Sequence, residues 1–180
     1  MEELIRKIVE EDKDFTEAKF RAKADNMYIQ IFTAVMKQDL MRVKHFLSEE
    51  LYARFEEKVK GLQDKNLMQV YGELNVSDTN ITNITEDDEE FKIEVNLLTK
   101  YLDYQIDKNT KKMVSGNCDV RVEKYVKLIF IKTKNAKNLG VARSCQGCGA
   151  NLDINFDGRC PYCGAVFKLQ EYDWILKDIL

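Results

Sequence analysis

The sequence predicts an α+β fold, with helices packed on one face of a curved antiparallel sheet and a small zinc ribbon following it. Apolar residues recur every three to four positions up to about residue 64, and they alternate with polar residues between residues 68 and 130. Four of the five cysteines then lie within residues 145–163. No helical crossover separates the predicted strands, which argues against a doubly wound parallel sheet.

The length of 180 residues suits one ordinary domain, or one domain with a small module. We predict a helical stub at 1–13 and a cone-like α+β domain at 14–133. A Lys- and Asn-rich linker then occupies 134–144, and the zinc ribbon with a C-terminal tail occupies 145–180. The stub carries a short apolar stripe, which we expect to pack on the body or to fray.

Three helices are predicted before residue 66. Asp14 followed by Glu17 resembles a capping box, which places the start of the first long helix at Asp14. A short second helix is expected over residues 40–47. Ser48 is a plausible N-cap of the third helix, since two acidic residues follow it where the helix dipole favours negative charge.

The strands are delimited by clusters of turn-forming residues. These clusters predict turns at 77–83, 86–90, 107–112 and 115–117. In the last long strand the apolar alternation slips by one position near Tyr125, as a β-bulge would cause.

The cysteines occur in two copies of one pattern, Cys-x-x-Cys-Gly. Two residues between the cysteines let both sulfurs reach one ion, and the following Gly permits a tight turn. Four thiolates at this spacing predict zinc, with a rubredoxin-type iron site and a redox pair as alternatives. The predicted ligands are Cys145, Cys148, Cys160 and Cys163.

A site closed by four cysteines leaves no position for water or substrate, so the predicted zinc is structural. A module of about 35 residues cannot build a large core, and metal binding should supply much of its folding free energy. The apolar tail 172–176 should dock either on the ribbon or on the α+β body. Cys118 lies apart and is interpreted as an ordinary sheet or turn residue.

Composition bounds the compartment and the partners. The net charge is −3, which disfavours a dedicated nucleic-acid binder. The first eleven residues lack the apolar core of a secretory signal, and the longest strongly apolar run, 128–131, is far too short to span a bilayer. We therefore expect a cytoplasmic protein in which clustered cysteines bind metal rather than form disulfides, with peripheral membrane contact as an option.

The residues also resemble a known family. Aromatic and apolar positions of the helical region resemble the Tim-forty-four-like domain family, named after an adaptor of the mitochondrial import motor; they are Phe15, Phe20, 27–32, Asp39-Leu40, 46–48 and Leu51-Tyr52. The stretch 101–116 is similar to that family's sheet region. The second Cys-x-x-Cys-Gly-Ala motif and the tail 172–174 are similar to those of bacterial members that carry a ribbon.

This resemblance implies a cone of helices over a curved sheet, as in nuclear transport factor two, and a binding or transport-associated role. Our first hypothesis is accordingly a non-catalytic adaptor for a protein or peptide partner. A cone fold has a concave pocket, although aromatic residues there more often simply fill a core. The candidate lining is Phe32, Phe55, Tyr101, Tyr104 and Phe130.

Two alternatives remain open. A small cone-fold enzyme would need an acid–base pair in the pocket. The only histidine, His45, lies outside any motif, and Asp103 is expected to point outward beside Tyr104. The second alternative is a module that binds an anionic ligand, with lipid favoured over nucleic acid, through a locally basic segment. The interpretation without a ligand is that these lysines are solvated residues of an exposed strand edge. The segment's candidate residues are Arg121, Lys124, Lys127, Lys132, Lys134 and Lys137.

Overall fold

The computed structural model of the chain describes residues 1–134, 143–144, 151–152, 160, 162–164 and 173–180. The described residues form three α-helices and a four-stranded antiparallel sheet, together with a separate pair of two-residue strands. The predicted α+β class is therefore confirmed.

Helix α1 (Glu2–Glu11) is the predicted N-terminal stub, and it packs on the body rather than fraying. Its Ile8 is 1% exposed and belongs to the main core, against which the rest of the apolar stripe is partly buried. Asp12, the C-cap residue that directly follows α1, forms an ion pair with Lys132 near the end of β3. This ion pair fixes the position of the helix on the sheet.

Helix α2 (Glu17–Lys37) starts two residues later than predicted, because Thr16 rather than Asp14 caps it. The Thr16 hydroxyl accepts a hydrogen bond from the Lys19 amide at 3.2 Å, as an N-cap side chain does. On either side of this cap, the rings of Phe15 and Phe20 pack with centroids 5.6 Å apart. This hydrophobic staple fixes the angle at which the chain enters α2.

Two short 3-10 turns, Leu40–Arg42 and Lys44–Phe46, replace the predicted second helix. Helix α3 (Glu49–Asp64) then begins where predicted, since the Ser48 hydroxyl accepts a hydrogen bond from the Leu51 amide at 3.1 Å. The prediction that Ser48 is an N-cap is thus confirmed.

The sheet contains β1 (Leu67–Glu86), β2 (Glu90–Asp107), β3 (Met113–Thr133) and the C-terminal β6 (Ile175–Ile179), in the order β1-β2-β3-β6. The connections between the first three strands confirm the turns predicted at 86–90 and 107–112. The short strands β4 (Arg143–Ser144) and β5 (Asn151–Leu152) pair with each other.

Three details of the predicted sheet are wrong. Residues 77–83 lie inside β1, where register shifts against β2 accommodate the polar residues without ending the strand. Residues 115–117 likewise lie inside β3. The register is regular at Tyr125, and the irregularity falls between Asn117 and Arg121 instead. There the Asn117 side-chain oxygen accepts hydrogen bonds from the backbone amides of Asp119 and Val120. This local turn competes with backbone pairing between β3 and β2.

The C-terminal tail docks on the α+β body, which decides between the two positions left open by the sequence. Strand β6 pairs with β3, and the Ser48 amide donates to the Leu176 carbonyl at 2.9 Å. Trp174 is 1% exposed and packs edge-on against Phe20, with ring centroids 5.1 Å apart. Residues 173–180 are therefore part of the body and complete its core.

The two faces of the sheet differ in what covers them. On β2 the odd-numbered residues from Phe91 to Tyr101 are buried against the helices, and we call this side the inner face. Because side chains alternate along a strand, the even-numbered residues of β2 lie on the opposite side, the outer face. We call the half of that outer face that runs from Leu98 to Ile106 on β2 the far half, and the rest the near half. No helix of the described residues packs on the far half.

Candidate functional site

The cysteine module is described at its second motif only. Cys160 is 2% exposed, and its Sγ accepts a hydrogen bond from the Tyr162 amide at 3.4 Å. The Gly164 amide donates to the Cys160 carbonyl at 2.9 Å, and Gly164 has a positive φ of 74°. The turn after Cys160 therefore combines an amide directed at the sulfur with a glycine in the left-handed conformation.

Cys163 is exposed, and Cys145 and Cys148 lie outside the described residues. Half of the predicted ligands are therefore outside the described residues. Among the described residues, no group of three His, Cys, Asp or Glu side chains could hold a metal. Strands β4 and β5 stand immediately before and after residues 145–150, which contain the first motif.

The inside of the cone is filled by an aromatic cluster of four residues, Tyr28, Phe32, Tyr71 and Tyr101. Phe32 lies at its centre, with its ring centroid 4.3 Å from that of Tyr28 and 4.7 Å from that of Tyr71. Tyr71 and Tyr101 meet edge-on at 5.5 Å. All three tyrosines are at least 95% buried. The aromatic cluster thus serves as core packing at this end of the sheet.

Polar side chains surround the aromatic cluster at its solvent side. The Lys58 Nζ donates to the Tyr71 hydroxyl at 2.7 Å, and the Lys124 Nζ lies 5.4 Å from the Tyr101 ring centroid and 3.4 Å from the Asp103 carboxylate. Gln69 also donates to Asp103, at 2.8 Å. Asp103 therefore shares the inner face with Tyr101, and the expectation that it points outward is wrong, because residues two apart on a strand lie on the same face.

Burial sets the protonation of this region. It raises the pKa of the Tyr28 and Tyr71 hydroxyls well above the ordinary tyrosine range, so both stay neutral. Burial also lowers the pKa of Lys58, although Asp103 opposes this effect. The Tyr28 hydroxyl faces the hydroxyl groups of Thr99 and Tyr101. The Tyr28 and Tyr71 hydroxyls are thus weak acids, and Lys58 is a cation. The Asp103 carboxylate already contacts Gln69 and Lys124.

The structure does not bring the predicted pocket residues together. Phe32 and Tyr101 meet, with ring centroids 6.2 Å apart. Tyr104 is on the outer face by strand alternation. Phe130 packs on Phe20, at 5.1 Å, near the opposite end of β3. Phe55 is partly buried against the core from α3.

Sequence reasoning missed Tyr71, Lys58 and Gln69 as members of this region. The alternation of side chains along β1 could have placed Gln69 and Tyr71 on one face. Lys58 could not be found this way, because its contact with Tyr71 joins a helix to a strand. His45 lies in the second 3-10 turn, where its ring meets Phe46 at 4.9 Å, away from the aromatic cluster.

The predicted basic segment is paired with carboxylates of the same chain. Lys124 pairs with Asp103, Lys127 with Glu94 at 3.6 Å, and Arg121 with Glu73. Further along β3, the ion pairs are Lys132 with Asp12 at 2.9 Å and Lys134 with Glu86 at 2.8 Å. Lys137 lies outside the described residues. Each described cation of the segment therefore has a carboxylate within 4 Å, which reduces its attraction for an external polyanion.

A family model described as Tim44-like domain matches residues 1–128, which span the three helices and most of the sheet. The chain belongs to the Tim44-like domain family. Domains of this family are generally non-catalytic and are associated with protein and membrane interaction. None of the curated proteins matches the chain. The resemblance inferred from the helical region and from residues 101–116 is thereby confirmed at the level of the domain.

The far half of the outer face of this Tim44-like domain carries an apolar surface, which we call the outer-face stripe. The strand register places its members in successive rows across β1, β2 and β3. One row containing Lys100 and Glu123, which form an ion pair, interrupts it. The members are Met68, Val70, Leu98, Leu102, Tyr104, Ile106, Met113 and Tyr125.

On β1 and β2 the near half of the same face is polar, with Asn80, Asn83, Lys92, Glu94 and Asn96. Its positions on β3 include Ile129 and Ile131, which lie beside β6. A solvated sheet face is normally polar, as the β1 and β2 part of this near half is. In the stripe, Met113 is 51% exposed and Tyr125 is 80% exposed, while the remaining members are partly exposed. Exposed apolar patches of this kind often mark interaction sites.

None of the described helices is both long enough and apolar enough to cross a membrane.

Proposed function

We propose that the chain is a non-catalytic adaptor that binds a protein partner through the outer-face stripe. The observation that carries this proposal is the contrast between the two halves of one solvated sheet face. On β1 and β2 the near half is polar, whereas the far half exposes methionine, leucine and tyrosine side chains without cover from the described residues. Membership of the Tim44-like family supports the adaptor role and makes protein transport the process to test first.

The structure gives less support to an anionic-lipid or nucleic-acid role. The described cations of the basic segment already have carboxylate partners, and these pairs would compete with an external phosphate. A catalytic role is also less supported, since tightly packed rings fill the cone where a substrate would lie. The tyrosine hydroxyls there are held neutral by burial.

Partner binding can be tested by site-specific photocrosslinking in the native cell. A photoreactive phenylalanine derivative at Tyr125 should yield a discrete crosslinked protein, whereas the same group at Asn80, on the polar half of the same face, should not. Both positions are exposed, so neither replacement should disturb the fold. Identical crosslinking patterns at the two positions, or no product at Tyr125, would count against the proposal.

We also propose that the four cysteines hold one structural zinc ion. The buried Cys160 thiol, the Tyr162 amide directed at it and the left-handed Gly164 support this assignment. Zinc would cross-link the two Cys-x-x-Cys-Gly motifs and stabilise a module too small to fold on a core of its own. Cys160, Cys163, Cys145 and Cys148 would be the ligands.

Metal analysis of the purified full chain tests this assignment. We expect about one zinc per chain, lost in Cys160→Ser and Cys163→Ser. Cys118→Ser is the matched control, because Cys118 is exposed on β3 and outside both motifs. Iron in place of zinc would revise the metal, and no metal at all in freshly reduced protein would refute the site.

A further inference from the structure

We infer that the outer-face stripe also joins two copies of this chain, face to face, in a weak homodimer. This inference uses the surface invoked in the proposed function but does not depend on the partner proposed there. It rests on the charge balance around the stripe, on its size and on the shape of the neighbouring strand edge.

The charges in and beside the stripe cancel. Arg121 pairs with Glu73, and Lys100 pairs with Glu123 at 2.7 Å. Lys111 lies beside Met68 and Asp78 is opposite Leu98, so three positive charges are balanced by three negative ones. In a twofold dimer the same patch faces itself, and a net charge would therefore repel its own copy. A balanced patch avoids this repulsion. The same balance removes the positive potential that an anionic membrane would require.

The composition of the stripe also suits self-contact. Its exposed members include an aromatic and a methionine side chain, Tyr125 and Met113, which are enriched at protein–protein interfaces. A twofold contact supplies an equally apolar surface for every member of the stripe. The Lys100–Glu123 ion pair lies inside this contact, between the rows of Leu98 and Leu102, where each charge already has its opposite charge beside it.

The size of the stripe predicts weak association. It runs from Leu98 to Ile106 on β2 and spans three strands. With a rise of about 3.4 Å per residue and strands about 4.8 Å apart, it covers roughly 400 Å². Stable interfaces bury about 800 Å² per partner. We therefore expect a dimer with a dissociation constant on the order of micromolar or weaker, rather than an obligate one.

The shapes of β1 and β3 favour face-to-face contact over pairing of strand edges. The edge strand β1 has three register shifts against β2, which interrupt a regular edge. Three residues, 118–120, bulge out between Asn117 and Arg121, and the Asn117 side chain closes a local turn there. A bulge of this kind interrupts the ladder of backbone groups that a second strand would need. The uninterrupted edge between the bulge and the Lys127–Leu180 pairing is correspondingly short.

Sedimentation velocity of the full chain over a range of concentrations tests the inference. The wild-type chain should change from monomer to dimer as concentration rises through the micromolar range. Tyr125→Glu and Met113→Glu should each raise the dissociation constant at least tenfold, because each places a charge on the apolar contact. Asn80→Glu, on the polar half, should leave it unchanged.

A chain that remains monomeric over the whole range refutes the dimer, and so does a dimer that Tyr125→Glu leaves intact. Neither result affects the proposed function, which is judged by crosslinking to a different protein at the same position. Conversely, a crosslinked product of twice the chain mass, with no other product, supports the dimer and removes support for a separate partner. Circular dichroism should show that all three variants remain folded.

Discussion

The Lys132 ammonium, on a side chain only 7% exposed, lies 2.9 Å from the carboxylate of Asp12, which precedes it by 120 residues. Lys132 sits on the inner face of β3, and Asp12 directly follows α1. This ion pair joins the start of the described chain to the end of the sheet. It also explains how a lysine can occupy a buried position, since its charge is matched there.

The two halves of this pair should respond differently to mutation. Asp12→Asn leaves the Lys132 charge buried without its partner, and should lower the free energy of unfolding by about 2–4 kcal/mol. Lys132→Met removes the charge and keeps an apolar chain of similar length, so it should change stability by less than about 1 kcal/mol. Urea unfolding of both variants measures these differences. Equal losses would show that the pair matters through attraction rather than through the isolated charge.

Two glycines should respond in opposite ways to replacement by alanine. Gly116 has a φ of 87°, and an added Cβ would lie 2.3 Å from the Asp103 carbonyl oxygen. Gly116→Ala should therefore destabilise the chain by more than about 2 kcal/mol. Gly61 lies within α3, and a Cβ added there would meet nothing within 4 Å, so Gly61→Ala should stabilise by about 0.5–1 kcal/mol. Thermal unfolding followed by circular dichroism measures both changes, and two shifts of the same sign would contradict the expectation.

The buried tyrosines predict a loss of stability at high pH. Burial raises the pKa of Tyr28 and Tyr71 in the folded chain above the ordinary value of 10.0. The unfolded chain therefore releases these protons first, and stability should fall as pH rises through about 10 and beyond. Part of the tyrosinate absorbance at 295 nm should appear only as the chain unfolds. Tyr28→Phe and Tyr71→Phe should each remove one tyrosine's share of it.

A complete tyrosinate signal in a chain whose circular dichroism is still native would contradict this expectation. Comparison of the two variants adds a second check. Tyr71→Phe also loses the 2.7 Å hydrogen bond from the Lys58 ammonium, whereas the Tyr28 hydroxyl faces the hydroxyl groups of Thr99 and Tyr101. At neutral pH, Tyr71→Phe should accordingly be the more destabilising of the two, by about 1 kcal/mol.

The single tryptophan should report on the body and not on the metal. Trp174 packs on Phe15 and Phe20, and its side chain is almost fully buried. Its fluorescence should be blue-shifted and resistant to acrylamide, and it should stay so when a chelator removes the proposed zinc. A red shift on chelation would instead mean that the core of the body depends on the metal.

Trp174→Ala should lower the free energy of unfolding by about 3–5 kcal/mol, as expected for a large aromatic residue removed from a core. Tyr125→Ala is the matched control, because that aromatic residue is 80% exposed. It should change stability by less than about 0.5 kcal/mol. Urea unfolding followed by circular dichroism compares the two without using tryptophan emission.

Local signals in the sequence predicted most of the fold. Ser48 marked the start of α3 because capping is decided by a few neighbouring residues. Thr16 displaced Asp14 as the cap of α2 because Phe15 and Phe20 pack around it, and such packing depends on three-dimensional contacts. Residues 77–83 were expected to form a turn, yet pairing with β2 keeps them in a strand. Turn propensity is weak compared with a long antiparallel ladder.

The candidate site was less predictable, because its contacts join distant parts of the chain. The segment between Arg121 and Lys134 was locally basic in the sequence, whereas its carboxylate partners come from other strands and from the residue after α1. Tyr104 was assigned to the pocket and Asp103 to the outer surface, and the strand places them the other way round. The outer-face stripe depends on the register of three strands, which the sequence alone does not specify.

The return of the chain to the sheet at β6 has a consequence for synthesis on the ribosome. The first 134 residues contain the three helices and three long strands, but Trp174, Ile175 and Leu176, which fill the centre of the core, are made about forty residues later. A nascent chain must therefore expose the core surface that these three residues later cover while both cysteine motifs are being translated. Capture of the proposed zinc by those motifs would be able to begin before the body is complete. The uncovered core would be most accessible to a chaperone during this interval.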